Sequence, residues 1–317
     1  MKKAELPTEE HAAFLVRSRL GTEPVQVQRF ETGLCHFVYR VETSGGPNFV
    51  VRISRPETLR FLEGGVYWSK LLRPMGVPLP EILFVDLAPP DSIFPFVILE
   101  FLEGTDLGTV YPALSSAEKL ELASEVIRIQ QSVASLPNVS RFGYAFSYEA
   151  PPNCRSWKEV MLAIIERAQE RMNTGKHPGR LYPERVKQSL SFNESYFASV
   201  RPIAFLEDIT TKNVLVHQGR INGMVDVDQM CFGDSLLTIG ETRMALLQNS
   251  FDLDYVEHWM HLLKLDSEQR RVVNFYTLWY CVVFMSELGE QFNRAESKRI
   301  DLSRYAYLES IYERLAI

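Results

Sequence analysis

The chain has 317 residues, 46% of them hydrophobic and 23% charged. That is the make-up of an ordinary globular protein, long enough for a sizeable core and two domains, and it excludes a mini-protein, a collagen or a disordered chain. A net charge of −6 argues against a protein held on nucleic acid by neutralising phosphates.

The acidity is uneven. Residues 1–100 carry 11 Lys+Arg against 12 Asp+Glu, so most of the excess falls on residues 101–317. A cationic partner or a well-solvated surface would each suit that balance. Residues 1–10 are charged and lack the apolar stretch of a secretory leader. The longest uncharged apolar stretch, residues 272–286, is shorter than the ~20 residues that span a bilayer. Cys35, Cys154, Cys231 and Cys281 show no CxxC spacing, which argues against a zinc site and suits reduced thiols. The expectation is a cytoplasmic protein, monomer or dimer, that binds neither nucleic acid nor membrane.

In chain order, residues 25–30, 37–41 and 49–53 are short runs rich in β-branched and aromatic side chains, the last two separated by a Gly-Gly-Pro turn. Pro56 suits the first turn of a helix, and Leu59, Leu62 and Val66 continue it at helical spacing to Leu72. Residues 74–80 end that helix, and residues 82–85 and 96–101 read as two further strands. After Gly104 the pattern turns helical. Ser115 and Glu118 form a capping box, and helical periodicity recurs over 157–172, 184–198, 236–248, 255–265, 267–292 and 302–315. One strand pair, 213–216 and 221–225, interrupts it. The spacing predicts an α+β chain of two lobes: a small β-rich one over 1–99, a connector at 100–105, and a larger helical one over 106–317.

The chemistry concentrates in residues 205–228. Asp208 and Asn213 lie five positions apart, Asn213 leads into a strand, and after a turn at 217–220 the return strand runs to Asp226-Val-Asp228. This brings Asp208, Asn213 and Asp226 around one mouth of a hairpin. Magnesium-dependent phosphoryl transfer needs such a set. One carboxylate orients the attacking hydroxyl, while an amide oxygen and a second carboxylate give magnesium hard oxygen ligands. Asp and Asn are also ordinary turn formers, and it is the whole window, closed by Gly233-Asp234, that favours the chemical reading.

This window resembles the aminoglycoside phosphotransferases and their choline-kinase-like relatives, small-molecule kinases with the two-lobed protein-kinase-like fold. The resemblance runs from about residue 26 to 245. It implies that Asp208 is the catalytic base and that Asn213 and Asp226 hold Mg²⁺. Leu206, Val227 and Ser235 stand where the family has His, Trp and Pro. In the β-rich part, Gly33 matches the loop that covers the phosphates, with His36 where Asn is usual. Arg52 matches the phosphate-gripping cation, and Glu63 on the next helix matches the carboxylate that pairs with it. Residues 96–104 match the strand and hinge, so Glu100, Phe101 and Leu102 would meet the adenine edge.

Asp234 follows Asp226 within eight residues, too few for the activation segment of a protein kinase, so the acceptor is expected to be a small molecule. The resemblance implies ATP or GTP as co-substrate and an aminoglycoside-like antibiotic as acceptor, hence a role in antibiotic resistance. A metabolic alcohol (choline, a sugar derivative, homoserine) and a catalytically silent nucleotide-binding protein remain alternatives. Asp228 and Glu241 are candidate contacts to the acceptor, although Asp228 could equally tie the turn. His258 and His261, three apart on a helix, read as helix surface.

Overall fold

The structure is a computed structural model that describes residues 6–30, 35–89, 94–290, 292–293 and 299–316. Gly33, expected in the phosphate-covering loop, lies outside them.

Helix α1 (Glu9–Leu20) opens on a capping box between Thr8 and His11 and closes on Gly21 in the left-handed region. Strands β1 (Pro24–Phe30), β2 (Phe37–Thr43) and β3 (Phe49–Ile53) follow, then α2 (Leu59–Leu72), β4 (Ile82–Asp86) and β5 (Phe96–Glu100). The five strands form one antiparallel sheet in the order β1-β2-β3-β5-β4. Side chains alternate across it with the period of two that strands impose. Phe37, Tyr39, Val51, Ile53, Phe96 and Ile98 pack under Ala12, Leu15 and Val16 of α1. On the opposite face, Val97 and Leu99 meet Leu62 and Val66 of α2. Arg52 falls between Val51 and Ile53, so its side chain leaves the sheet on the α2 face.

The rest of the chain is mostly helical: β6 (Thr105–Asp106), α3 (Leu107–Val110), α4 (Ser116–Val133), β7 (Gly143–Ala145), α5 (Trp157–Thr174), α6 (Tyr182–Ser189), α7 (Glu194–Ser199), β8 (Ile203–Phe205), β9 (Val214–His217), β10 (Arg220–Met224), β11 (Met230–Gly233), α8 (Leu236–Gln248), α9 (Asp254–Leu262), α10 (Ser267–Glu287) and α11 (Leu302–Leu315). α4 carries the expected Ser115–Glu118 capping box. The expected helix over 184–198 is broken by a 3₁₀ turn at Leu190–Asn193, and the one over 267–292 stops at Glu287. A large core built on Trp68, Trp157, Phe205, Tyr276 and Trp279 joins these elements. The architecture is α+β, a sheet-rich N-terminal region against a helical C-terminal one. Among the described residues no helix is long and apolar enough to cross a membrane.

Two three-stranded sheets frame the region of interest, β10-β9-β6 and β7-β11-β8. Because β11 pairs with β8, with Cys231 opposite Phe205, the segment leaving β8 and the turn entering β11 emerge side by side.

Candidate active site

Asp208 follows β8 in a loop whose main chain is pinned. The Gln130 side chain on α4 accepts a hydrogen bond from the Leu206 N–H (3.0 Å) and donates to the Leu206 carbonyl (2.6 Å). The Thr238 hydroxyl donates to the same carbonyl at 2.9 Å. The Leu206 side chain, where the family pattern has His, is buried in the core. Bracing of this segment therefore runs through its backbone.

The Asp208 carboxylate accepts from the Thr210 hydroxyl at 3.0 Å and has the Lys212 ammonium 3.4 Å away. That carboxylate is in turn the main reason the Lys212 ammonium is held above its usual range. Asn213 is buried, and its amide nitrogen donates to the Asp208 carbonyl at 2.8 Å. This use of the nitrogen leaves the amide oxygen, an acceptor, outside that bond. The Val225 N–H bonds to the Asn213 carbonyl at 3.0 Å, tying the two sides of the hairpin together next to Asp226.

Asp226 sits in the left-handed region, φ +65°, a conformation costing a non-glycine residue roughly 1–3 kcal/mol and concentrated at functional sites. Its carboxylate keeps 42% of its exposure and accepts from Arg52 at 2.9 Å. Loss of hydration in the cleft, and then the neighbouring Asp228 charge, raise it above the usual aspartate value. Asp228 moves the other way. Its own burial would raise it, but Arg52 and His36 outweigh that and hold it below the usual value. Arg52 bonds to both carboxylates, each at 2.9 Å, and His36 bonds to Asp228 at 2.8 Å. Burial works against the Arg52 charge, and the two aspartates more than offset it.

Here one expectation is corrected. The Arg52–Glu63 pair is not formed among the described residues: Arg52 turns to Asp226 and Asp228, and Glu63 is exposed. The reason is helical phase. The residues of α2 that reach the hairpin are Gly64 and Gly65, and a Cβ on either would collide with Asp228. Two adjacent glycines inside an otherwise apolar helix were the sequence signal for this close approach. Asp228 is thus not positioned to meet an acceptor directly; it is buried on the Arg52 side.

Glu100, Phe101 and Leu102 follow directly at the end of β5. The Glu100 carboxylate accepts from the Glu81 N–H at 2.8 Å, and the Arg40 guanidinium lies 4.6 Å from the centre of the Phe101 ring. Gly104, at φ +133°, comes so close to the Val216 carbonyl that a Cβ would stand 2.8 Å from its oxygen.

On the other side of Lys212 lies a cleft of about 350 Å³, lined among others by Thr211, Lys212, Glu241, Phe284 and Glu287. Glu241 is buried, and its Oε2 has no hydrogen-bond partner among the described residues. Burial, then the Asp208 and Glu207 charges, push its carboxyl well above the usual range. Glu287 is raised as well, mainly by burial, with Arg171 at 3.4 Å opposing. Sequence reasoning passed over Glu207. It accepts from Tyr144 at 2.7 Å and from Tyr280, and burial chiefly raises it to about 7.

Asp234 accepts from the Leu236 N–H at the start of α8 (3.1 Å) and from the Tyr276 hydroxyl (2.7 Å), a structural role. His258 bonds to Ser116 on α4.

Comparison with known proteins accords with this geometry. Structures similar over nearly the whole chain include a thermostable mutant of aminoglycoside phosphotransferase APH(4)-Ia in its apo form. It has a TM-score of 0.72 at 14% identity, with 96% of this chain and 97% of that one covered. The streptomycin–ATP ternary complex of APH(2″)-IIa matches with a TM-score of 0.67 at 12% identity, covering 99% and 100%. ADP-bound aminoglycoside phosphotransferase APH(2″)-Ib matches with a TM-score of 0.64 at 13% identity, covering 98% and 100%. At these identities the likeness establishes the fold. No curated protein matches the chain by sequence. A family model, "Phosphotransferase enzyme family", matches residues 26–237, well over half of the chain, and the chain therefore belongs to the phosphotransferase enzyme family.

Proposed function

We propose that the protein is a small-molecule kinase that moves the γ-phosphate of ATP or GTP onto a hydroxyl of a cationic, aminoglycoside-like acceptor. One observation carries this reading. Thr210, Thr211 and Lys212, which lie between Asp208 and Asn213, border a cleft lined also by Glu241, a buried carboxyl with an oxygen unpartnered among the described residues. In this reading the nucleotide lies between the five-stranded sheet and the helices, with the connector at 100–105 as hinge and the main chain of Glu100–Leu102 against the base.

Asn213 and Asp226 fit Mg²⁺: an amide oxygen freed by its own nitrogen's bond to Asp208, and a half-exposed carboxylate. Among the described residues no group of three or more His, Cys, Asp or Glu is arranged to hold a metal ion. Two protein donors, with phosphate and water completing the set, are the usual magnesium arrangement. When bound, the ion neutralises charge on the β- and γ-phosphates. Arg52 pairs with phosphate oxygens. Asp208 orients the acceptor hydroxyl and takes its proton as the oxygen attacks the γ-phosphorus and the nucleoside diphosphate leaves. Lys212 sets its ammonium 3.4 Å from the Asp208 carboxylate. Glu241, buried, and Glu287, half-buried, give the acceptor's ammonium groups anionic partners, and pairing there would offset the desolvation that raises them.

The test is an ADP- or GDP-release assay with Mg-ATP and Mg-GTP over aminoglycosides, choline, sugars and homoserine, with mass spectrometry of the product. An aminoglycoside gaining one phosphoryl group is the expected outcome. Asp208→Asn should lower kcat by about 10²- to 10⁴-fold with nucleotide affinity nearly intact. Nucleotide binding without turnover on any acceptor would refute the enzyme reading in favour of a silent kinase fold.

A further inference from the structure

In the reading above Arg52 presents its charge to phosphate, and such a cation needs a fixed anion behind it. That anion is not on α2. The residues of α2 facing Arg52 are Gly64 and Gly65, and Asp228 fills the space two missing side chains leave. A Cβ at Gly64 would lie 2.2 Å from the Asp228 carbonyl oxygen, and one at Gly65 would lie 2.7 Å from its Oδ1 and 3.7 Å from Arg52 Nη1. Asp228 is 7% exposed, and its Oδ2 accepts from Arg52 Nη2 (2.9 Å) and His36 Nε2 (2.8 Å) together. We propose that Asp228, seated against Gly64-Gly65 and steadied by His36, is the residue that positions Arg52, in place of a carboxylate on the helix.

The proposal rests on the nucleotide role of Arg52. It also explains why Arg52 has two carboxylates. Asp226 is half-exposed and belongs to the pair of residues suited to magnesium, so an arginine held by Asp226 alone would compete with any cation that took it. Asp228 lies beneath α2, closed to solvent, and carries no such conflict. His36 supplies a second hydrogen bond, which keeps the buried carboxylate from relying on Arg52 alone. His36 is fixed in turn, because its carbonyl accepts from the Asn293 amide at 2.5 Å.

The test is isothermal titration calorimetry on the full chain with metal-free ADP and with Mg-ATP. The variants are Arg52→Ala, Asp228→Asn, the double variant, Gly65→Ala and Glu63→Gln. Arg52→Ala and Asp228→Asn should each weaken ADP binding about tenfold, and the double variant should be no weaker than the worse single, because both remove one unit. Gly65→Ala keeps every charge and improves helix propensity, yet forces the Asp228 carboxylate to move; it should weaken binding about three- to tenfold. Glu63→Gln should bind like the unaltered protein. Normal ADP binding by Arg52→Ala would refute the nucleotide role of Arg52 itself. Weak binding by Arg52→Ala with normal binding by Gly65→Ala and Asp228→Asn would overturn the positioning role alone, as would multiplying effects in the double variant. If Asp228→Asn does not fold, Gly65→Ala against Arg52→Ala decides.

Discussion

Gln130→Leu removes the brace under the Asp208 loop while nearly conserving side-chain volume. In the folded protein the Gln130 amide makes two hydrogen bonds to the Leu206 main chain, at 3.0 and 2.6 Å. The carbonyl retains Thr238 at 2.9 Å, so its loss is that of one ordinary bond, about 1 kcal/mol. The N–H is left facing a leucine, and a buried donor without a partner costs about 1–3 kcal/mol. Together these predict a loss of about 2–4 kcal/mol. Spread over the unfolding entropy of 317 residues, that is a fall in Tm of about 3–6 °C. Because Asp208, the proposed base, is two residues further on, kcat should fall about tenfold or more through its misplacement, with nucleotide affinity unchanged. Thermal denaturation and steady-state kinetics on the same preparation measure both. An unchanged Tm would show that the brace holds nothing. A lowered Tm with unchanged kcat would show that it serves the fold but not the position of Asp208.

Glu207 is raised to about 7, chiefly by burial. Between the usual glutamate value and about 7 the folded protein keeps a proton that the unfolded chain has released, so stability falls as pH rises through that window and then levels off. Glu207→Gln, whose Oε1 can still accept from Tyr144 and Tyr280, should flatten this slope and add roughly 1–3 kcal/mol at pH 8. Urea denaturation at pH 5 and pH 8 checks it, and a slope identical to that of the unaltered protein would refute it. Glu241→Gln should raise KM for a polycationic acceptor about tenfold or more while leaving that for a neutral alcohol unchanged. Equal effects on both acceptors would deny Glu241 its cationic partner.

Much of this molecule was legible where the signal is local. β1, β2, β3 and β5 stand where runs of β-branched and aromatic residues placed them, and the α4 capping box is formed as written. Elements with weak local signals were missed. α1 shows only a weak apolar periodicity, its buried face being limited to Ala12, Leu15 and Val16. β7, β8 and β11 are three or four residues long, too short for an alternation to show. At the site, the proximity of Asp208, Asn213 and Asp226 follows from one hairpin, because a turn sets it. The partner of Arg52 was not legible, because that pairing depends on the phase of α2 and on how closely two glycines let it approach a turn some 160 residues away. Glu207 was passed over for a similar reason: its carboxyl is defined by Tyr144 and Tyr280, which lie far from it in sequence.

The contacts of Asn293 bear on the order in which this protein can become complete. Its carbonyl accepts from Arg29 at 2.9 Å and its side chain donates to the His36 carbonyl, across 264 and 257 residues of chain. On a ribosome, the N-terminal sheet can pair its strands and pack α1 as soon as residue 100 has emerged, since every strand of it lies before that point. The edge of that sheet next to the cleft is different. It stays unfinished until residue 293 has been made, because one of its stitches is supplied from beyond α10. The wall that would carry a nucleotide is thus synthesised well before this edge of it can be closed.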